Sequence, residues 1–123
     1  MLSVTRTPEG GGITDIHITT ILYMNRDRLK DRVVITTRDD VFYLPGPLKY
    51  WLNVINSRGY KFLYVDRSTA INPANVVSVN EIYKEAFFDR EVTRKSIKCE
   101  IAHHRYHEFV SELTATNRKV ILT

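Results

Sequence analysis

The sequence predicts a mainly β domain with two short helices, and three observations carry that expectation. Residues 60–79, YKFLYVDRSTAINPANVVSV, hold two short alternating apolar runs, broken by Asp66-Arg67-Ser68 and then by Asn72-Pro73-Ala74-Asn75. Alternation every second residue marks half-buried strands, and Asn-Pro followed by Asn marks a tight turn between them. Residues 33–37 (VVITT) and 41–44 (VFYL) flank an Arg38-Asp39-Asp40 turn and read as a hairpin. Apolar residues at helical spacing occur over 48–55 and 105–113.

The remaining elements follow in order. Residues 1–12 read as a flexible lead-in, because Pro8 and Gly10-Gly11-Gly12 stop regular structure. Residues 13–24 (ITDIHITTILYM) alternate, with Ile16, Ile18, Ile21 and Tyr23 recurring and a break at Thr19-Thr20, which predicts two short strands. Residues 25–32 (NRDRLKDR) are nearly all polar and are expected as an exposed loop before the 33–44 hairpin. Pro45-Gly46-Pro47 ends that hairpin. Leu48, Trp51, Leu52 and Ile55 then form the inner face of a helix that Gly59 stops, with Trp51 and Tyr50 at core and rim. Residues 81–88 and 92–101 read as a further strand pair turning near Asp89-Arg90-Glu91, with Phe87 and Phe88 in the core and Tyr83 there or at its edge. Tyr106, Phe109, Val110 and Leu113 share one helical face. Residues 117–123 are expected as a short extension, with VILT as a possible added strand, leaving 13–116 as the domain proper.

Composition bounds the function classes. A chain of 123 residues makes one domain with one core. Lys plus Arg number 18 against 14 Asp plus Glu, a net charge of +4. The pI near 9.3 reaches the basic range of nucleic-acid-binding domains. The single Cys99 excludes an intrachain disulfide and fits a reducing compartment. No run of about eighteen apolar residues is present, and the N-terminus lacks the apolar core of a signal peptide. The expected location is the cytoplasm, with no membrane partner.

Several segments, taken in order, resemble the LytTR family of bacterial DNA-binding domains over roughly residues 13–113. They are Ile18-x-x-Ile21-Leu22-Tyr23-Met24, Gly46-Pro47-Leu48 opening a helix, Gly59-Tyr60-Lys61-Phe62, and Arg67-Ser68-Thr69-Ala70-Ile71-Asn72. Asn75-Val76-Val77-Ser78-Val79 and Ile101-Ala102-His103-His104-Arg105-Tyr106 complete the set. The resemblance implies an elongated set of small β-sheets with short helices, which grips duplex DNA through loops rather than a recognition helix. It also implies two copies on direct repeats, that is, a homodimer on DNA. With no room in the sequence for a receiver domain, a stand-alone transcription regulator is expected.

Three sites carry over by resemblance: Lys30, Asp31 and Arg32 in the loop after the 21–23 strand, Arg67 and Ser68, and His103, His104 and Arg105 opening the last helix. The family often shows R-x-H-R-S where this chain has Tyr64-Val65-Asp66-Arg67-Ser68, and Ser-Arg where it has Ala102-His103.

The residues support the same sites on chemical grounds. Arginine offers a planar fork that reads guanine O6 and N7 together or clamps a phosphate, and a neighbouring serine hydroxyl donates to phosphate without demanding a sequence. Against this stands a surface pairing of Arg67 with Asp66 or Glu81. Arg26, Arg28, Lys30 and Arg32, opposed by Asp27 and Asp31, supply counterion-release affinity or simply a solvated loop. His103 and His107 lie four apart on a helix with Cys99 nearby in sequence, but a zinc site needs three or four convergent ligands and no CxxC or HExxH pattern accompanies them. A surface helix start rich in histidine and a phosphate contact from that helix start are the other two readings. A cation beside Cys99, Lys98, would activate the thiol, whereas burial would leave it idle.

No glycine-rich phosphate loop, nucleophile elbow or paired carboxylate cleft is present. The expectation is therefore a non-enzyme without cofactor, metal or small-molecule substrate, whose partner is double-stranded DNA. The alternative is an interaction module of the same shape that pairs with or antagonises another regulator, favoured by Asp66 and the modest net charge.

Overall fold

The computed structural model describes residues 1–123 as eleven strands in two sheets, two α-helices and three single-turn 3₁₀ segments. The first sheet has the order β2-β1-β5-β4-β3-β7-β6, formed by β1 (Leu2–Thr5), β2 (Ile13–Ile16), β3 (Tyr23–Arg26), β4 (Arg32–Thr36), β5 (Val41–Pro45), β6 (Leu63–Tyr64) and β7 (Thr69–Ile71). All its pairings are antiparallel. The second has the order β10-β9-β8-β11, from β8 (Ser78–Asn80), β9 (Glu85–Phe87), β10 (Lys98–Glu100) and β11 (Ile121–Leu122). There β11 lies parallel to β8, with Ile121 opposite Ser78.

Each sheet has its own core, because each carries one helix. Helix α1 (Leu48–Asn56) turns Leu48, Leu52 and Ile55 onto the first sheet, against Met24, Val33, Ile35 and Phe42. A chain reversal before it needs left-handed backbone at Gly46 (φ 81°), which glycine adopts without a Cβ penalty. The Gly46 amide donates to the Asp31 carbonyl at 3.0 Å, and the Trp51 indole donates to the Pro45 carbonyl. Helix α2 (Tyr106–Thr116) turns Tyr106, Phe109 and Leu113 onto the second sheet, against Val79, Ala86 and Phe88. Burial of such side chains contributes on the order of 1.5–3 kcal/mol each.

The two sheets are joined at Ile21–Leu22 and at the Pro73–Asn75 turn. Asn72 is 5% exposed and donates to the Ile21 carbonyl at 3.0 Å, while its side-chain oxygen accepts from the Ala74 amide. Asn75 in the same turn donates to the Thr19 carbonyl, and Asn117, at the end of the last helix, donates to the Pro73 and Val76 carbonyls. At the far end Arg38 pairs with Asp89 and donates to the Phe88 carbonyl, with Tyr23 stacked on Phe88 at 6.3 Å.

Four expectations need correction. The chain holds two hydrophobic cores, one on each sheet, rather than the single core its length suggests, because each sheet buries the face of its own helix. The first residues are not a flexible lead-in: Leu2–Thr5 is a strand, and Val4 is 1% exposed in the first core. Pro8 and the glycines instead form the turn of a β1–β2 hairpin, whose strands pair Leu2 with Ile16. Residues 81–84 are a turn rather than strand, so Tyr83 is exposed, not core. The strand pair around 81–101 is shorter than its pattern, with Lys98 opposite Phe87 and a long loop between them.

Candidate nucleic-acid interface

The three sequence-predicted sites lie in a row at one edge, fastened by main-chain hydrogen bonds. Because β3 pairs with β7 with Asn25 opposite Thr69, the chain ends that leave this ladder are neighbours, and the Arg26 amide donates to the Ser68 carbonyl at 2.8 Å. The β3–β4 turn therefore sits beside the β6–β7 turn. Farther along, the Ala102 amide donates to the Val65 carbonyl at 2.8 Å. That bond fastens the 3₁₀ segment His103–Arg105 to the other side of the β6–β7 turn.

In the β3–β4 turn Asp27 is the organiser. It accepts from the Leu29 amide at 3.0 Å and from Arg32 Nε at 2.7 Å. Those contacts, the amide first, hold its carboxyl below the usual carboxylate range. Arg32 also donates to the Pro8 carbonyl at 3.1 Å and lies over the Tyr43 ring at 6.0 Å. Its guanidinium is thus committed to the protein, and Arg32 shapes the loop rather than presenting a free cation. Lys30 and Asp31 are exposed, as are Arg26 and Arg28.

In the β6–β7 turn Asp66 accepts from the Ser68 amide at 2.7 Å and from the Ser68 hydroxyl at 3.3 Å. A carboxylate bonding the amide two residues on is an Asx-type turn, so Asp66 builds the loop that presents Arg67. Arg67 is exposed and forms no ion pair with Asp66 or Glu81. The pairing that competed with a binding role is therefore absent.

At the third position His103 and His104 are exposed while Arg105 is half-buried. The Arg105 guanidinium lies over the Tyr64 ring at 6.0 Å, and burial raises the Tyr64 hydroxyl's pKa, with the Arg105 charge partly opposing it. No three His, Cys, Asp or Glu side chains are grouped to hold a metal ion. Cys99 is buried in the second core, and burial, then Asp66 and Glu100, push its thiol up to about 12. Burial thus leaves the thiol idle, and the neighbouring Lys98 pairs with Glu85 at 2.8 Å.

One further group on this edge carries no motif. The Ile101 amide donates to the Lys84 carbonyl at 2.8 Å, which places the β8–β9 turn next in the row. Its apex is Ile82 and Tyr83, 83% and 73% exposed. An apolar pair at a hairpin apex has the same pattern as strand, which hid it in the sequence.

No family model matches the sequence, and no curated protein matches it either. A solved structure does. It is the LytTr DNA-binding domain of a Bacillus cereus protein described as a methyl-accepting/DNA response regulator, which this chain resembles with a TM-score of 0.63 at 11% identity. The alignment covers 92% of this chain and 97% of that one. At that identity the likeness is one of fold, and it extends over nearly the whole of both chains. The chain has the fold of a LytTR DNA-binding domain, with its three candidate loops on one edge.

Proposed function

We propose that this protein is a sequence-specific duplex-DNA-binding transcription regulator, acting without enzymatic chemistry, that grips DNA through the row of turns just described. The observation that carries the reading is the pair of main-chain bonds, Arg26 to Ser68 and Ala102 to Val65, which brings Lys30, Arg67, His103 and His104 to one edge with no partners of their own. Arg67 reads a guanine edge. Lys30, His103 and His104 meet phosphate, Ser68 keeps its hydroxyl on Asp66 and shapes the turn, and Asp31 accepts from cytosine N4. Arg105 stays on Tyr64 and adds its charge from behind. Two copies occupy direct repeats, forming a homodimer on DNA in the cytoplasm.

The competing reading, an interaction module that touches DNA weakly, draws on the exposed apolar residues and the modest charge. Salt separates the two. Phosphate contacts make log K fall with log salt at about −0.9 per phosphate neutralised, whereas an apolar protein interface is nearly insensitive. Anisotropy titrations of a labelled duplex, with wild type and Arg67→Ala, test this. The expected result is a steep salt slope, and a loss of about 1–3 kcal/mol on the preferred sequence alone for the variant. An equal loss on every sequence would reassign Arg67 to a phosphate, and a flat salt response would favour the interaction module.

A further inference from the structure

The β8–β9 turn presents two large apolar side chains to solvent on rigid backbone. Asn80 accepts from the amides of both Ile82 and Tyr83, at 3.0 and 2.9 Å, which fixes the apex. Lys84 closes the turn in left-handed backbone (φ 54°), a conformation that non-glycine residues rarely adopt. Its ammonium lies over the Tyr106 ring at 5.0 Å, and its carbonyl holds Ile101. Tyr106 is 6% exposed and opens α2, so the turn is braced against the second core. Nothing in the chain covers Ile82 or Tyr83, and both stand beside the turn that carries His103 and His104.

Exposed apolar side chains held at a fixed apex, in line with a row of cations and imidazoles, have a specific use on a duplex. Proteins that deform DNA insert such side chains between base steps, partly unstacking the bases and kinking the helix. An aromatic ring also stacks on a base face whatever the sequence. We infer that Ile82 and Tyr83 form an apolar wedge that enters the duplex at one base step beside the contacts of Arg67 and His103. This rests on the duplex-binding reading above and adds to it a site of DNA deformation. Glu81, exposed at the base of the turn, opposes phosphate approach there, so contact at this end falls to the apolar apex and to Lys84.

The test uses the full chain and a duplex enriched from a random pool, carrying 2-aminopurine at successive steps, with donor and acceptor dyes at its ends. With wild-type protein, the wedge predicts increased 2-aminopurine emission at one step and an end-to-end shortening that corresponds to a kink of roughly 20–90°. The double variant Ile82→Ser, Tyr83→Ser should lose both signals while still binding the duplex, with an unchanged circular dichroism spectrum. Binding without increased emission at any step, or a variant that keeps the signals, overturns the wedge and leaves duplex binding intact. Enrichment of no duplex by wild-type protein overturns both readings. Should binding and unstacking persist in the variant while a protein partner is lost, the apex belongs to that partner.

Discussion

The guanidinium of Arg105 lies over the ring of Tyr64, 6.0 Å from its centroid. Tyr64 lies in β6 and Arg105 at the start of the last helix, so the placement of this charge depends on two elements distant in sequence and adjacent in space. Tyr64→Ala should release Arg105 and weaken duplex binding by about 0.5–1 kcal/mol, the worth of an exposed cation–π contact. Tyr64→Phe, which keeps the ring, should bind like wild type in the same anisotropy titration. Equal losses in both variants would point to the hydroxyl instead.

His103 and His104 stand exposed on the proposed interface. The double variant His103→Ala, His104→Ala should weaken duplex binding in the same anisotropy titration while leaving the thermal melt unchanged. Wild-type affinity in the variant would remove these residues from the interface.

Much of this edge was legible in the sequence, and the reasons differ from residue to residue. The alternation in residues 60–79 and the Asn-Pro turn located β6, β7 and β8, and helical spacing located α1 and α2. Period and turn chemistry are local, so a sequence expresses them. Arg67 is singled out by its guanidinium chemistry and by the family pattern, and the fold leaves it exposed and unpaired. The bond of Arg32 to the Pro8 carbonyl, which reaches it from 24 residues away, is not visible in the spacing of the loop. The β1 strand was hidden because its alternation is only four residues long and is followed by Pro8 and three glycines. Those residues shape a hairpin turn as readily as they end structure. The Ile82–Tyr83 apex was missed for a related reason: the capping by Asn80 is a side-chain choice that hydrophobic periodicity does not encode.

Asn72, within the Arg-Ser-x-x-Ile-Asn segment, proves to be a structural residue. It bonds Ile21 and Ala74 from a buried position between the two sheets. Asn72→Ala should cost about 1–3 kcal/mol, the penalty of leaving buried polar groups unpaired. Thermal or denaturant melts would register the loss, with duplex affinity unchanged at temperatures where the variant is folded. A normal melt with impaired binding would contradict the assignment.

The Cys99 thiol, pushed up to about 12 mainly by burial, stays protonated in the fold at neutral pH. Native protein at pH 8 should resist iodoacetamide, and denatured protein should react at the rate of a free thiol. The linkage has a definite sign. Above its ordinary value of 9.0 the unfolded thiol loses its proton while the folded one keeps it, so stability falls as pH rises from about 9 toward 12. A Cys99→Ala variant should show a shallower alkaline decline. Rapid alkylation of native protein would place the thiol outside the core.

Sequence-specific recognition of duplex DNA is tested by selection from a random pool. Folded protein would be incubated with random duplexes at about 0.1 M salt, where charges beyond about 10 Å are largely screened, and bound sequences read after several rounds. A short motif repeated in the same orientation should be enriched, with the enrichment lost in Arg67→Ala. Folded wild-type protein that enriches no motif would contradict it.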